Sequence, residues 1–315
     1  MASYRDALPQ LGGSVFLMDG GLETTLVFLE RLDLPCFAAF PLLLDDAGRQ
    51  TLKRYFEPYL RTAADREVGF VLDTATWRAN PDWGEKLGYS KEAITDINRR
   101  AVALAVEIRN ASATSPTPIV INGVVGPRGD GYRADAKMTA DDAQQYHSEQ
   151  IEALRIAGAD MVSAITMNYA EEAIGITRAA KANDIPVVIA FTVETDGKLA
   201  TGETLQSAIK RVDEATGGAP AYFMINCAHP SHFDDAISGV GDWSDRIRGV
   251  RANASAKSHA ELDEAVELDA GDPVALAKEY RDLRKRLPHL SVLGGCCGTD
   301  HRHISAICDA CLPAA

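Results

Sequence analysis

No stretch of this chain approaches the roughly 18 consecutive apolar residues that a membrane-crossing helix needs, although 46% of its residues are hydrophobic. The apolar residues are cut into short runs, which points away from a membrane partner. The N-terminal stretch MASYRDALPQLGG is interrupted by Arg5 and Asp6 and does not read as a secretory leader. Basic residues are few beside acidic ones, 32 Lys and Arg against 45 Asp and Glu, for a net charge of −13. That balance disfavours a nucleic-acid partner, since phosphate binding needs clustered cations, and suits small diffusible substrates. A dinucleotide fingerprint is missing too, because GPRGDG (126–131) lacks the required glycine spacing. The six cysteines have no even extracellular spacing. They suggest a reducing compartment, with the cytoplasm as the expected location.

What the chain does have is a strict alternation. Eight short runs rich in Val, Ile, Leu and Phe read as strands: 15–20, 70–76, 118–126, 161–166, 186–193, 222–227, 247–254 and 291–297. Most are apolar throughout, as in parallel strands covered on both faces. Helical spacing marks 51–68, 91–111, 139–158, 170–184, 202–215 and 272–287. Thr139 suits a helix start and Gly158 a helix end. The pattern predicts a single-domain (β/α)8 TIM barrel over 1–315, with a doubly wound sheet as the alternative. The polar stretch 255–272 reads as a mobile excursion after the seventh strand.

Polar and special residues collect at the C-terminal ends of these strands, the rim where barrel active sites are built. They include Asp19, Gly20, Gly21, Asp73, Thr74, Asn122, Thr166, Thr192, Asn226, Cys227, Asn253, Cys296, Cys297 and Thr299. Adjacent Cys296 and Cys297 face one point only if the strand ends there, and Gly294, Gly295 and Gly298 allow that. With Cys227, two strands away, they make a candidate three-thiolate Zn2+ site with one open position, the catalytic form. Metal-bound thiolate is a nucleophile, which suits methyl transfer to sulfur. His229, His301 and His303 are candidate fourth ligands. Cys308 and Cys311 are spaced as core positions of the last helix, and Cys36 also reads as buried. Asp19, before two glycines, suggests a substrate contact. Asn226 and Thr299 suit hydrogen bonds to a substrate carboxylate, or helix capping.

These motifs resemble the zinc-dependent homocysteine S-methyltransferases, a family that includes the betaine–homocysteine methyltransferases. The matching stretches are DGGLETTL (19–26), LDTATWRAN (72–80), NGVVGPRGDGY (122–132), DGKLATGETL (196–205), MINCAHP (224–230) and GGCCGTDHRHI (294–304). The resemblance implies a (β/α)8 barrel, zinc on Cys227, Cys296 and Cys297, homocysteine as acceptor and methionine as product. It places Asp19, Gly20 and Gly21 beside the acceptor. One departure stands out. The family's Glu-Thr at the end of the fourth strand, whose Glu holds the acceptor amine, is here Ile165-Thr166, with Glu194 a candidate substitute. The length leaves no room for a cobalamin or folate domain, so the methyl donor is a small sulfonium or ammonium compound. S-adenosylmethionine, S-methylmethionine, dimethylsulfoniopropionate and betaine qualify. Trp77, Trp83, Tyr132 and Tyr169 are candidates to face such a cation. A zinc hydrolase and a non-catalytic thiol sensor are the competing readings, and a homo-oligomer is left open.

Overall fold

A computed structural model describes residues 2–112, 117–135, 137–237 and 241–312. Its strands are β1 Phe16–Leu17, β2 Gly69–Asp73, β3 Ile119–Val125, β4 Met161–Met167, β5 Val187–Phe191, β6 Tyr222–Asn226, β7 Ile247–Ala252 and β8 Val292–Gly295. Each pairs in parallel with its neighbour in sequence, and β1 pairs with β8 to close the ring. Closure decides for the (β/α)8 barrel over the doubly wound sheet. Helices Asp46–Asp65, Lys91–Ala111, Ala140–Ala157, Ala170–Ala182, Leu205–Thr216 and Pro273–Arg286 occupy the six predicted segments, and His301–Cys311 is the last. Thr139 does cap its helix, its hydroxyl accepting from the Asp142 amide at 3.1 Å, and Gly158 ends it at φ 104°.

The uniformly apolar runs hide an alternation that only a closed sheet reveals. Phe16, Val71, Val120, Tyr222 and Met224 point inward and pack with Met18, Met161 and Val188. Their neighbours Leu17, Leu72, Ile121, Phe223 and Ile225 pack outward under the helices. With both faces covered, both positions are apolar except where buried polar residues such as Asp73, Asn122 and Arg251 find partners near the rim.

Three sequence expectations need correction. The ladders stop earlier than the apolar runs, so Asp19, Cys227, Cys296 and Cys297 stand in loops just past β1, β6 and β8. Leaving the ladder frees their side chains from strict up–down alternation. Cys36 is exposed rather than buried; it and Phe37 take left-handed φ of 56° and 54° after Pro35, which turns the loop outward. Finally, 255–272 folds back over the mouth. It forms the short helix His259–Asp263, opened by a Ser258–Glu261 capping box.

Candidate metal centre

Two backbone distortions set up the rim. Between Ala164 and Met167 the β4–β5 register shifts, and Thr166 sits at φ 66°, unusual for a β-branched residue. Asn226 holds it there with both ends of its amide. Its Oδ1 accepts from the Thr166 amide at 2.9 Å and its Nδ2 donates to Thr166 Oγ1 at 2.9 Å. The next residue, Cys227, also turns left-handed at φ 57°. Its carbonyl accepts from Asn253 Nδ2 at 3.0 Å and lies 2.6 Å from His259 Nε2. Strain of this kind persists only when surrounding contacts over-determine it.

The second half of the site depends on close backbone approach. A Cβ on Gly20 would lie 2.7 Å from the Thr299 carbonyl oxygen, and one on Gly21 would lie 2.6 Å from that of Cys296. Only glycine lets the loop after β1 touch the loop after β8. Thr299 fastens that second loop by donating from Oγ1 to the Cys296 carbonyl at 2.7 Å.

These loops bring the sulfurs of Cys227, Cys296 and Cys297 within 4.8 Å of one another, the one such group of His, Cys, Asp and Glu among the described residues. Cys227 Sγ is 3.0 Å from Cys296 Sγ and 3.6 Å from Cys297 Sγ. Tetrahedral bonds of about 2.3 Å separate neighbouring sulfurs by about 3.8 Å, so a thiophilic metal needs only a small expansion of this group. The three donors fit such an ion and leave a fourth position open. The electrostatics divide the three thiols. Contacts from Cys227 and Cys297, helped by the Arg251 guanidinium, hold Cys296 well below the usual thiol range. Sulfur neighbours and burial push Cys297 well above it, and contact with Cys296 does the same for Cys227.

Beneath the sulfurs lies a charge cluster that the sequence pattern concealed. Arg251, inside β7, donates from one Nη to Asp19 Oδ1 at 2.9 Å and from the other to Asp73 Oδ2. Its Nε donates to the carbonyl of Gly295, the residue before Cys296, at 3.0 Å. Tyr55 donates to Asp19 Oδ2 at 3.0 Å, and Asn122 donates to Asp73 Oδ1 at 2.7 Å. Burial, opposed by Arg251, raises Asp19 to about 7.

A cavity of about 430 Å³ opens above this floor, lined in part by Asp19, Gly20, Gly21, Thr166 and the three cysteines. Ile165 contributes an apolar wall. Asn226 and Thr299 are fully buried behind the lining, where they brace the loops instead of facing a ligand. None of the three candidate histidines joins the sulfurs. His229 Nδ1 contacts Ser231 at 2.8 Å, His303 caps the last helix with Asp300, and the His301 ring stands edge-on to Tyr59. Glu194 is taken up by His259, 3.0 Å away. His259 itself, inside the supposed excursion, also stacks on Tyr132 at 4.2 Å between ring centroids. Tyr132 Oη in turn reaches Cys227 Sγ at 2.9 Å. Trp77 lines the cavity, while Trp83 carries Arg78 and Lys86 on its ring, and the Tyr169 hydroxyl accepts from the Met138 amide. Nothing in the local sequence singles out Arg251 or His259, since their partners lie far off in the chain.

Comparison with known proteins agrees with this geometry. The sequence model described as homocysteine S-methyltransferase matches residues 16–311. Homocysteine S-methyltransferase 4 of Zea mays is 25% identical over 95% of this chain and 90% of its own length. Selenocysteine Se-methyltransferase of Brassica oleracea var. italica is 24% identical over 97% of this chain and 91% of its own. In structure, the metallated form of the Escherichia coli homocysteine methyltransferase MmuM superposes with a TM-score of 0.74 at 20% identity. The match covers 94% of this chain and 96% of that one.

Proposed function

The chain belongs to the homocysteine S-methyltransferase family, and from that premise we propose that it uses zinc to methylate homocysteine, giving methionine. The methyl group comes from a small sulfonium or ammonium donor of the S-methylmethionine, S-adenosylmethionine or betaine type. The observation that carries this reading is the convergence of Cys227, Cys296 and Cys297 at one edge of the cavity. Bound there, zinc would supply a Lewis acid that keeps an acceptor thiol ionised near neutral pH.

The protein's own groups do the rest. Arg251 favours the anionic form of Cys296 and, through the Gly295 carbonyl, fixes the loop that carries it. Asn253 and His259 hold the Cys227 peptide so that its sulfur faces the other two. The roof formed by Leu262, Ala265 and Leu268 narrows the access of water. The acceptor sulfur attacks the methyl carbon as the donor's bond to that carbon breaks. The bonding pair stays with the donor, which departs neutral, so the cation is discharged in the step. Asp19, Gly20, Gly21 and Thr166 line the space where the acceptor would sit.

Metal analysis of purified protein tests this reading together with a panel of methyl donors. The expected result is about one zinc per chain and methionine formed from homocysteine with at least one donor. Full activity in stable, metal-free protein refutes it.

A further inference from the structure

The cavity contains more charge than the metal site and the Arg251 cluster account for. Six carboxylates line it: Asp19, Glu23, Asp73, Asp263, Glu267 and Asp269. Asp19 and Asp73 are committed to Arg251. Asp269 accepts from Ser255 Oγ at 2.8 Å and pairs with Lys257. Asp263 and Glu267 are exposed on the roof, where water satisfies them. Glu23 is different. It is half-buried in the turn Leu22–Thr24 just after β1, and no cationic side chain among the described residues lies within 4.0 Å of it.

Arg78 is its counterpart. The guanidinium lies 4.0 Å from the Trp83 ring centroid and 4.8 Å from that of Trp77, and one Nη donates to the Cys36 carbonyl. Two indoles and a carbonyl fix it in place without neutralising it, and no carboxylate among the described residues forms an ion pair with it. Trp77 and Trp83, the candidates for a substrate cation, therefore already hold one. Glu23 and Arg78 both line the cavity, and burial raises the Glu23 carboxyl to about 7, so an incoming ammonium would draw it into its anionic form. A separated anion and cation beside a thiolate site form a receptor for a zwitterion. The apolar side chain of Ile165 offers an ammonium nothing.

We propose that Glu23 and Arg78 receive the amino-acid head of the acceptor, Glu23 its ammonium and Arg78 its carboxylate. The inference rests on the homocysteine reading and adds to it the residues that set specificity. Homocysteine has a short two-methylene arm between its sulfur and the carbon bearing both charged groups. A sulfur held at the three cysteines thus leaves the head inside the same cavity, where Glu23 is the half-buried carboxylate with no cationic partner among the described residues.

Three thiols separate the roles: homocysteine, 4-mercaptobutyrate without the ammonium, and 3-mercaptopropylamine without the carboxylate. Each is titrated calorimetrically into zinc-loaded protein without donor, and each KM is measured with donor. Loss of a charge-assisted hydrogen bond weakens binding about tenfold or more. Glu23→Gln is expected to weaken homocysteine and 3-mercaptopropylamine by that factor and to leave 4-mercaptobutyrate unchanged. Arg78→Gln is expected to weaken homocysteine and 4-mercaptobutyrate and to spare 3-mercaptopropylamine, and Arg78→Lys to restore part of the loss. Zinc content and melting temperature of each variant check that the fold is intact. Equal losses for all three thiols, or an effect confined to the KM of the donor, overturn the assignment. Wild-type protein that binds homocysteine no better than 4-mercaptobutyrate overturns the clamp and the homocysteine acceptor together. A preference for homocysteine that survives both variants overturns the clamp alone.

Discussion

The two ends of the barrel bury carboxylates by opposite means. At the closed end Asp160, wholly buried, accepts from the backbone amides of Tyr4 and Ile121 at 2.9 and 2.8 Å and from that of Ser3. Arg109 adds an ion pair at 2.9 Å. At the rim, among the described residues, Asp19 and Asp73 are held by side chains, sharing Arg251, with Tyr55 donating to Asp19 and Asn122 to Asp73. Backbone donors are fixed once the strands pair, so Asp160 acts as a permanent brace for the N-terminal segment. The rim carboxylates depend on side chains, with Arg251 the one cation between them, which makes their charge, and that of Cys296, adjustable. A protein can change its chemistry at the rim without disturbing the floor.

The most severe break at the rim is Cys297→Ala. It should abolish both zinc binding and methyl transfer, read by metal analysis and product formation. The matching change elsewhere, Cys308→Ala, should leave both intact and lower stability by about 1 kcal/mol. Cys308 is buried in the helix His301–Cys311, where desolvation raises its thiol to about 11, and its sulfur is not part of the three-cysteine group.

The ionic comparison itself is tested by removing each arginine. Arg251→Met leaves two buried carboxylates uncompensated and should cost about 3–5 kcal/mol, lowering Tm by roughly 10 °C. Arg109→Met leaves Asp160 its three backbone donors and should cost only about 1–2 kcal/mol. Denaturant unfolding of both variants measures the gap; equal losses would remove the distinction between rim and floor.

A smaller effect concerns Asp300, which caps the last helix just beyond the metal loop. Burial is outweighed by hydrogen bonds from His303 and Arg302, so its carboxyl lies below the ordinary Asp value. A depressed folded value means that its stabilisation is complete above about pH 4 and is lost as the pH falls below that. Asp300→Asn should shrink this acid-side loss and cost about 0.5–2 kcal/mol at neutral pH if the amide caps less well. Stability curves between pH 3 and 7 check the sign. Least of all should come from Cys311→Ala, within about 0.5 kcal/mol, since its side chain neither joins the metal group nor is fully buried.

Much of the molecule was legible in the chain alone. Apolar-rich runs located all eight strands because parallel strands buried on both faces are mostly apolar. Glycines around Cys296 and Cys297 announced a loop that breaks strand alternation, and the paired cysteines announced the sulfur cluster. The runs were read too long, since hydrophobicity continues past the last ladder hydrogen bond. Arg251 escaped notice because a cation inside a strand has meaning only with its partners, and Asp19 and Asp73 lie 232 and 178 residues away. His259 was hidden in a polar stretch whose composition matches that of a solvated loop.

The sequence by itself thus determined the alternation of strands and helices, the end of the barrel where polar residues gather, and the three cysteines that converge there. These follow from local periodicity and residue type. Tertiary structure alone decided which charges cancel and which are left to act. Arg251 pairs with Asp19 and Asp73, Asn226 turns inward to hold Thr166, and Glu23 and Arg78 in the cavity have no ion-pair partner among the described residues. Electrostatic pairing depends on distances of a few ångströms between residues from different strands, and only the closing of the barrel sets those distances.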